Sequence, residues 1–172
     1  LRQLELEGLV QIVPNKGAYV TGITAKDVKD IYMRRSSLEG MCARLATEHI
    51  TPEQLGEMEE NVYIASFHAS KGHMEQMAEL DSRFHNILYE ASGSKMLQNL
   101  LRDFHQYVIR IRRKTLSTKE RGAASNEEHR QIMEAVKAGD SREAERLATC
   151  HMTNAYDNMV KNGLYEIFKS EI

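Results

Sequence analysis

Asp81 and His85 stand four residues apart in a segment where Met77, Leu80, Phe84, Leu88 and Ala91 recur with helical period. On a helix, side chains at i and i+4 lie one above the other and reach a common point. At about 100° per residue, Asp81 falls at the margin of the apolar stripe and His85 just beyond it on the same side. In a later segment His129 is followed by Ile132, Met133 and Val136, which puts its imidazole on the apolar face. In a third, His151 is the centre of a stripe formed by Ala144, Leu147, Ala148, Ala155 and Met159, flanked by Asn154 and Asn158.

Each of these groups, taken singly, reads as a core residue hydrogen-bonded to a neighbour. Together they are costly to bury, at about 1–3 kcal/mol for each one left unsatisfied. A divalent cation satisfies all four at once. Neutral imidazoles with one carboxylate suit zinc, nickel, manganese, iron or cobalt, and spacing does not choose among them. The other histidines have simpler readings: His49 beside a helix end, and His68, His73 and His105 solvated or half-buried without a partner. Cys150 points about 100° away from His151 and reads as a small core or boundary residue. Met33, Met41, Met58, Met74, Met77 and Met96 fall at helical spacings and read as core filler.

These residues must be carried by helices. Among 172 residues, 41% are hydrophobic, 6% aromatic, ten are glycine and only two proline, which favours helices over a sandwich of short strands. Thr24 with Asp27 caps a helix to about Glu48, and Thr51-Pro52-Glu53-Gln54 is a capping box opening a second. A third runs from about His73 to Ala91 and a fourth from Lys95 to Lys114. Ser125-Asn-Glu-Glu128 reads as a capping box that starts a fifth, ending at Gly139; Asp140 caps a sixth, closed by Asn162-Gly163, with a short tail helix after it. In front, Leu9–Val13 and Gly17–Val20 form a hairpin around Pro14-Asn-Lys-Gly17, and Leu1–Gly8 reads as the end of a helix. The expected fold is an all-α, antiparallel bundle of about six to seven helices preceded by a short β-hairpin.

Twenty-three basic against 25 acidic residues give a net charge of −2, which argues against a surface devoted to nucleic acid. Two cysteines, Cys42 and Cys150, form no disulfide framework, and no apolar run approaches the length of a membrane span. A reducing, cytoplasmic setting is expected. The chain opens on Leu1 inside an amphipathic pattern, so it reads as a fragment.

Several ordered motifs resemble a known family. Leu4-Glu-Leu-Glu-Gly-Leu-Val10 and Pro14-Asn-Lys-Gly-Ala-Tyr-Val20 resemble the end of the winged helix-turn-helix of GntR-family bacterial transcription regulators. Arg35-Ser-Ser-Leu-Glu39 with Ala43-Arg-Leu-Ala46, then Asp81-Ser-Arg-Phe-His85 with Glu90-Ala-Ser-Gly93, resemble the FadR-type C-terminal (FCD) domain. Glu128-His129, Ala135, Gly139-Asp140, Ala144 and His151 are similar to its third motif; Ser94 departs from it, standing where the family commonly has asparagine. The resemblance implies a remnant of the DNA-binding domain over 1–22 and a helical effector-binding and dimerisation domain over 23–172.

In the metal-containing branch of that family the ligands are one aspartate and three histidines, which fall here on Asp81, His85, His129 and His151. The implied effector is a small carboxylate or sugar acid. Arg35 is the expected arginine for it and Asn154 the next contact, although Arg35 has Glu39 one turn on and Asn154 is also placed to support a histidine ring. The cluster Arg110, Arg112, Arg113 and Lys114 reads mostly as a solvated helix end. Lys16, at the hairpin tip, is a candidate DNA contact. The expected protein is therefore a ligand-responsive, homodimeric, DNA-binding regulator, not an enzyme, with an operator as its partner. The competing readings are a metal-dependent hydrolase or lyase using the same four ligands, and a purely structural metal.

Overall fold

A computed structural model of the chain describes residues 10–14, 16–20, 24–114 and 119–169. Strands β1 (Val10–Val13) and β2 (Gly17–Val20) pair antiparallel, with Val10 opposite Val20 and Val13 opposite Gly17. Seven helices follow among the described residues: α1 (Ala25–His49), α2 (Pro52–Lys71), α3 (Met74–Ala91), α4 (Lys95–Lys114), α5 (Lys119–Lys137), α6 (Ser141–Lys161) and α7 (Leu164–Lys169). The all-α bundle behind a hairpin is the expected architecture. The reading of Leu1–Gly8 as a helix end lies outside the described residues.

Local chemistry sets most of the boundaries. Thr24 and Asp27 form a reciprocal capping box for α1, and Thr51 and Gln54 do the same for α2, with Pro52 as its first residue. Gly72 ends α2 at φ 73°, a left-handed conformation that side chains resist, and so lets α3 turn back at once. Asp140 caps α6 by accepting a hydrogen bond from the Glu143 backbone. One boundary differs from expectation. Helix α5 begins at Lys119, not at Ser125, so Ser125 and Asn126 lie inside the helix and are buried instead of capping it. Tertiary burial outweighs the local capping signal there.

Helix α1 packs along α6, and their approach depends on Gly40: a Cβ at that position would lie 2.3 Å from Thr149 Oγ1. The apolar interior is divided. One cluster gathers Cys42, Ala43, Met58, Phe84, Leu88, Ile132 and Ala148; the other gathers Val28, Tyr32, Val108, Ala155, Met159 and Leu164. Along α1, Arg35 and Glu39 fall between the two clusters; along α6, His151 does. A polar layer thus crosses the bundle, and its members come from five helices, α1 and α3 to α6.

Several side chains sit differently from their sequence reading. Met58 and Met77 are core, but Met33, Met41 and Met96 are exposed, so three of those six methionines are not core filler. Cys150 is exposed, not core or boundary. His105 is buried and bonded, not solvated and partnerless. No helix among the described residues is long and apolar enough to cross a membrane.

Candidate metal and effector site

Helix α3 supplies Asp81 and His85, α5 supplies His129 and α6 supplies His151. One potential ligand atom from each lies within 4.8 Å of all the others. The three histidines are buried, and Asp81 is half-buried. His129 Nε2 faces His151 Nε2 at 3.2 Å and lies 3.9 Å from Asp81 Oδ1. Phe84 stacks flat on the His129 ring at 4.1 Å between centroids and fixes its plane.

Two carboxylates orient two of the rings. Glu128 Oε2 accepts from His151 Nδ1 at 2.6 Å, and Glu39 Oε2 accepts from His85 Nδ1 at 3.3 Å. With each Nδ1 holding the donated hydrogen, a neutral ring leaves the Nε2 lone pair pointing inward. Burial lowers the His151 pKa, against the opposing pull of Glu128, so the neutral form is favoured. His129 Nε2 and His151 Nε2, 3.2 Å apart, need a proton or a cation between them. Metal–nitrogen bonds of about 2.0–2.1 Å set neighbouring ligand nitrogens roughly 3.3 Å apart in a tetrahedron, which fits the His129–His151 spacing. The donor set and its spacing therefore suit a divalent cation.

Each orienting carboxylate is itself held by an arginine. Glu39 Oε1 accepts from Arg35 Nη2 and from the Tyr89 hydroxyl, both at 2.5 Å, and all three side chains are nearly inaccessible. Burial alone would raise the Glu39 pKa, but His85 and Arg35 drive it far below the usual carboxylate range. The same Arg35 Nη2 lies 3.4 Å from His105 Nδ1. Because a guanidinium only donates, His105 must accept there and offer its Nε2 hydrogen to Ser82 Oγ at 3.0 Å. Arg35 Nε is buried and has no hydrogen-bond partner. On the other side, Arg121 donates through both terminal nitrogens to Glu128, at 3.0 and 2.8 Å, and Asn154 Nδ2 adds a bond to Glu128 Oε1 at 2.9 Å. Burial opposes ionisation of Glu128 as well, yet His151 and Arg121 bring its pKa down to about 2.

A cavity of about 980 Å³ opens beside this centre. Asp81 and His129 line it, as do Tyr32, Arg121, Asn126 and Asn158; neither Arg35 nor Asn154 does. Tyr32 Oη and Asn126 Oδ1 are buried without a hydrogen-bond partner. The four expected ligands are thus brought together, while the two expected effector contacts are engaged elsewhere, Arg35 on Glu39 and Asn154 on Glu128. Lys16 is exposed on the hairpin, and the side chains of the Arg110–Lys114 cluster lie outside the described residues.

Sequence reasoning set Glu39 beside Arg35, as found, but missed its bond to His85, and it missed the roles of Glu128 and Arg121. A signal for Glu39 existed: it shares a helical stripe with Cys42, Ala43 and Ala46 and follows Arg35 by one turn. Glu128 was assigned to a cap, and the late start given to α5 left Arg121 outside any helix.

The sequence matches the FCD domain family over residues 30–154. It is 26% identical over 160 residues to the HTH-type transcriptional regulator YdhC of Bacillus subtilis, an alignment covering 92% of this chain and 71% of that protein. It is 25% identical over 150 residues to the HTH-type transcriptional repressor RspR of Escherichia coli, covering 87% of this chain and 66% of the repressor. Among solved structures, the Zn2+-bound FCD domain of TM0439 superposes with a TM-score of 0.68 at 22% identity, covering 85% of this chain and 99% of that one.

Proposed function

Because the chain belongs to the FCD domain family, we propose that it is the sensing part of a DNA-binding transcription regulator and binds a small organic acid at or beside a divalent metal. The observation that carries this reading is the convergence of Asp81, His85, His129 and His151 at the edge of a cavity large enough for a metabolite. The Zn2+-bound state of the TM0439 domain supports the same reading. When bound, the metal would supply a positive charge and open positions for carboxylate or hydroxyl oxygens. The protein's own part is to hold three imidazoles aligned, His85 through Glu39, His151 through Glu128 and His129 through Phe84. Zinc, nickel and manganese all suit this donor set.

The division into 1–22 as a DNA-binding remnant and 23–172 as the sensing domain belongs to this proposal, as do the homodimer, a cytoplasmic setting and a Lys16 contact with an operator. The effector would bias the arrangement of two DNA-binding heads by no more than its difference in affinity for the two states. One observation weighs against a hydrolase. Glu128, a carboxylate beside His151 and outside the ligand set, accepts four hydrogen bonds and has a pKa of about 2, so it is a poor base at neutral pH.

Metal analysis tests the proposal. The purified chain should carry about one divalent ion, and His129→Ala should lose it; unchanged metal content in the variant overturns the site. Small carboxylates and sugar acids should raise the melting temperature of the metal-loaded form more than that of the metal-free form.

A further inference from the structure

The polar layer contains two arginines, and only one of them faces the cavity. Arg35 is 1% exposed, lies outside the cavity lining and is committed to Glu39. Arg121 lines the cavity and holds Glu128 in a bidentate pair whose two side chains keep 14% and 19% of their exposure. Among the described residues the one other arginine on the cavity wall is Arg83, which is exposed, so its charge is screened by water. Five carboxylates also line the wall: Glu57, Glu75, Glu79, Asp81 and Glu90. Four of these, the glutamates, are exposed and screened like Arg83, so among the described residues Arg121 is the half-buried side-chain cation that an entering acid meets.

We propose that Arg121, not Arg35, receives the anionic end of the effector, and that it does so by exchanging its salt bridge with Glu128 for one with the effector carboxylate. This rests on the reading of the cavity as an acid-binding site. The exchange is between like partners, carboxylate for carboxylate, so the charge-assisted geometry of the guanidinium fork is retained. Its consequence lies at Glu128. The same Oε2 atom that accepts from Arg121 Nη2 also accepts from His151 Nδ1. Released from the arginine, Glu128 concentrates its charge on His151 and makes that ring a stronger electron donor at Nε2. Occupancy of the cavity is thereby coupled to a metal ligand, and the coupling is reciprocal: acid tightens metal, and metal tightens acid.

The full chain loaded with Co2+ provides the test, because the visible absorption of Co2+ reports on its ligands. Acetate serves as the probe carboxylate. Co2+ stoichiometry is measured before any acetate is added, so loss of the metal site itself, with His129→Ala as the control, is separated from failure of the Arg121 role. In the parent, acetate should change the spectrum in a saturable way. Arg121→Gln should still bind one Co2+ but weaken acetate at least about tenfold, and Arg121→Lys should recover part of that loss. Glu128→Gln, which removes the competing carboxylate, should bind acetate more tightly than the parent and keeps the idea testable if Arg121→Gln does not fold. An absent acetate response in the parent, equal acetate affinity in Arg121→Gln, or weakened affinity in Glu128→Gln overturns the proposal.

Discussion

Two arginine–glutamate–histidine chains meet at the same centre: Arg35–Glu39–His85, anchored on α1 and α3, and Arg121–Glu128–His151, anchored on α5 and α6. Their connectivity is the same, and their surroundings are not. In the first, arginine and glutamate are each 1% exposed, and Tyr89 donates to the same Glu39 oxygen as the arginine. In the second, the pair retains partial exposure and the arginine borders the cavity. A sealed charge pair holds its geometry because any rearrangement strands a charge in a low-dielectric interior. A pair beside water and a cavity can exchange partners at small cost. One chain is thus a fixed support for the ligand set, and the other is adjustable.

The largest effect that separates the two should come from breaking the sealed chain. Arg35→Ala leaves Glu39 ionised and buried, and should cost about 3–5 kcal/mol of folding stability in a urea titration. A loss below about 1 kcal/mol would mean that the first chain is as adjustable as the second. Next in size, Glu128→Gln should keep the fold and change metal affinity by about tenfold or more, since groups that orient a ligand ring typically act at that scale; competition with a chromophoric chelator measures it.

Acid should sharpen the contrast further. The folded pKa of Glu128 is about 2 against an ordinary 4.5, so its contribution is fully present above about pH 4.5 and is lost as pH falls towards 2. His151 has a lowered pKa, so the metal-free fold also loses stability as pH drops below about 6.5, where the unfolded chain takes up a proton first. Stability of the metal-free chain should therefore decline in two stages, and Glu128→Gln should flatten the lower one. The smallest expected effect is that of Asn154→Ala. It removes one of four bonds to Glu128 from an exposed position, and should cost less than about 1 kcal/mol with metal retained.

The four candidate ligands were legible because they are registered within single helices. Asp81 with His85, and the placement of His129 and His151 on apolar stripes, follow from the 3.6-residue period alone. The capping boxes at Thr24 and Thr51 were legible for the same local reason. The start of α5 was not. Ser125-Asn-Glu-Glu128 carries a sound capping pattern, but Asn126 donates to Val62 O and Ser66 Oγ on α2, and those contacts hold residues 125 and 126 inside a longer helix. His105 was misread because its partners, Arg35 and Ser82, lie 70 and 23 residues away.

By itself the sequence determined the helical class, most helix ends and the four side chains able to share a cation, since each depends on residues within one or two turns of each other. Only the tertiary structure decided which arginine is sealed and which borders the cavity, and which glutamates orient the rings. A charged side chain on a helix is readable as a position, but its role depends on what the crossing helices bring to it. A charge is tolerated in the interior only where such partners arrive, and helical periodicity carries no information about them.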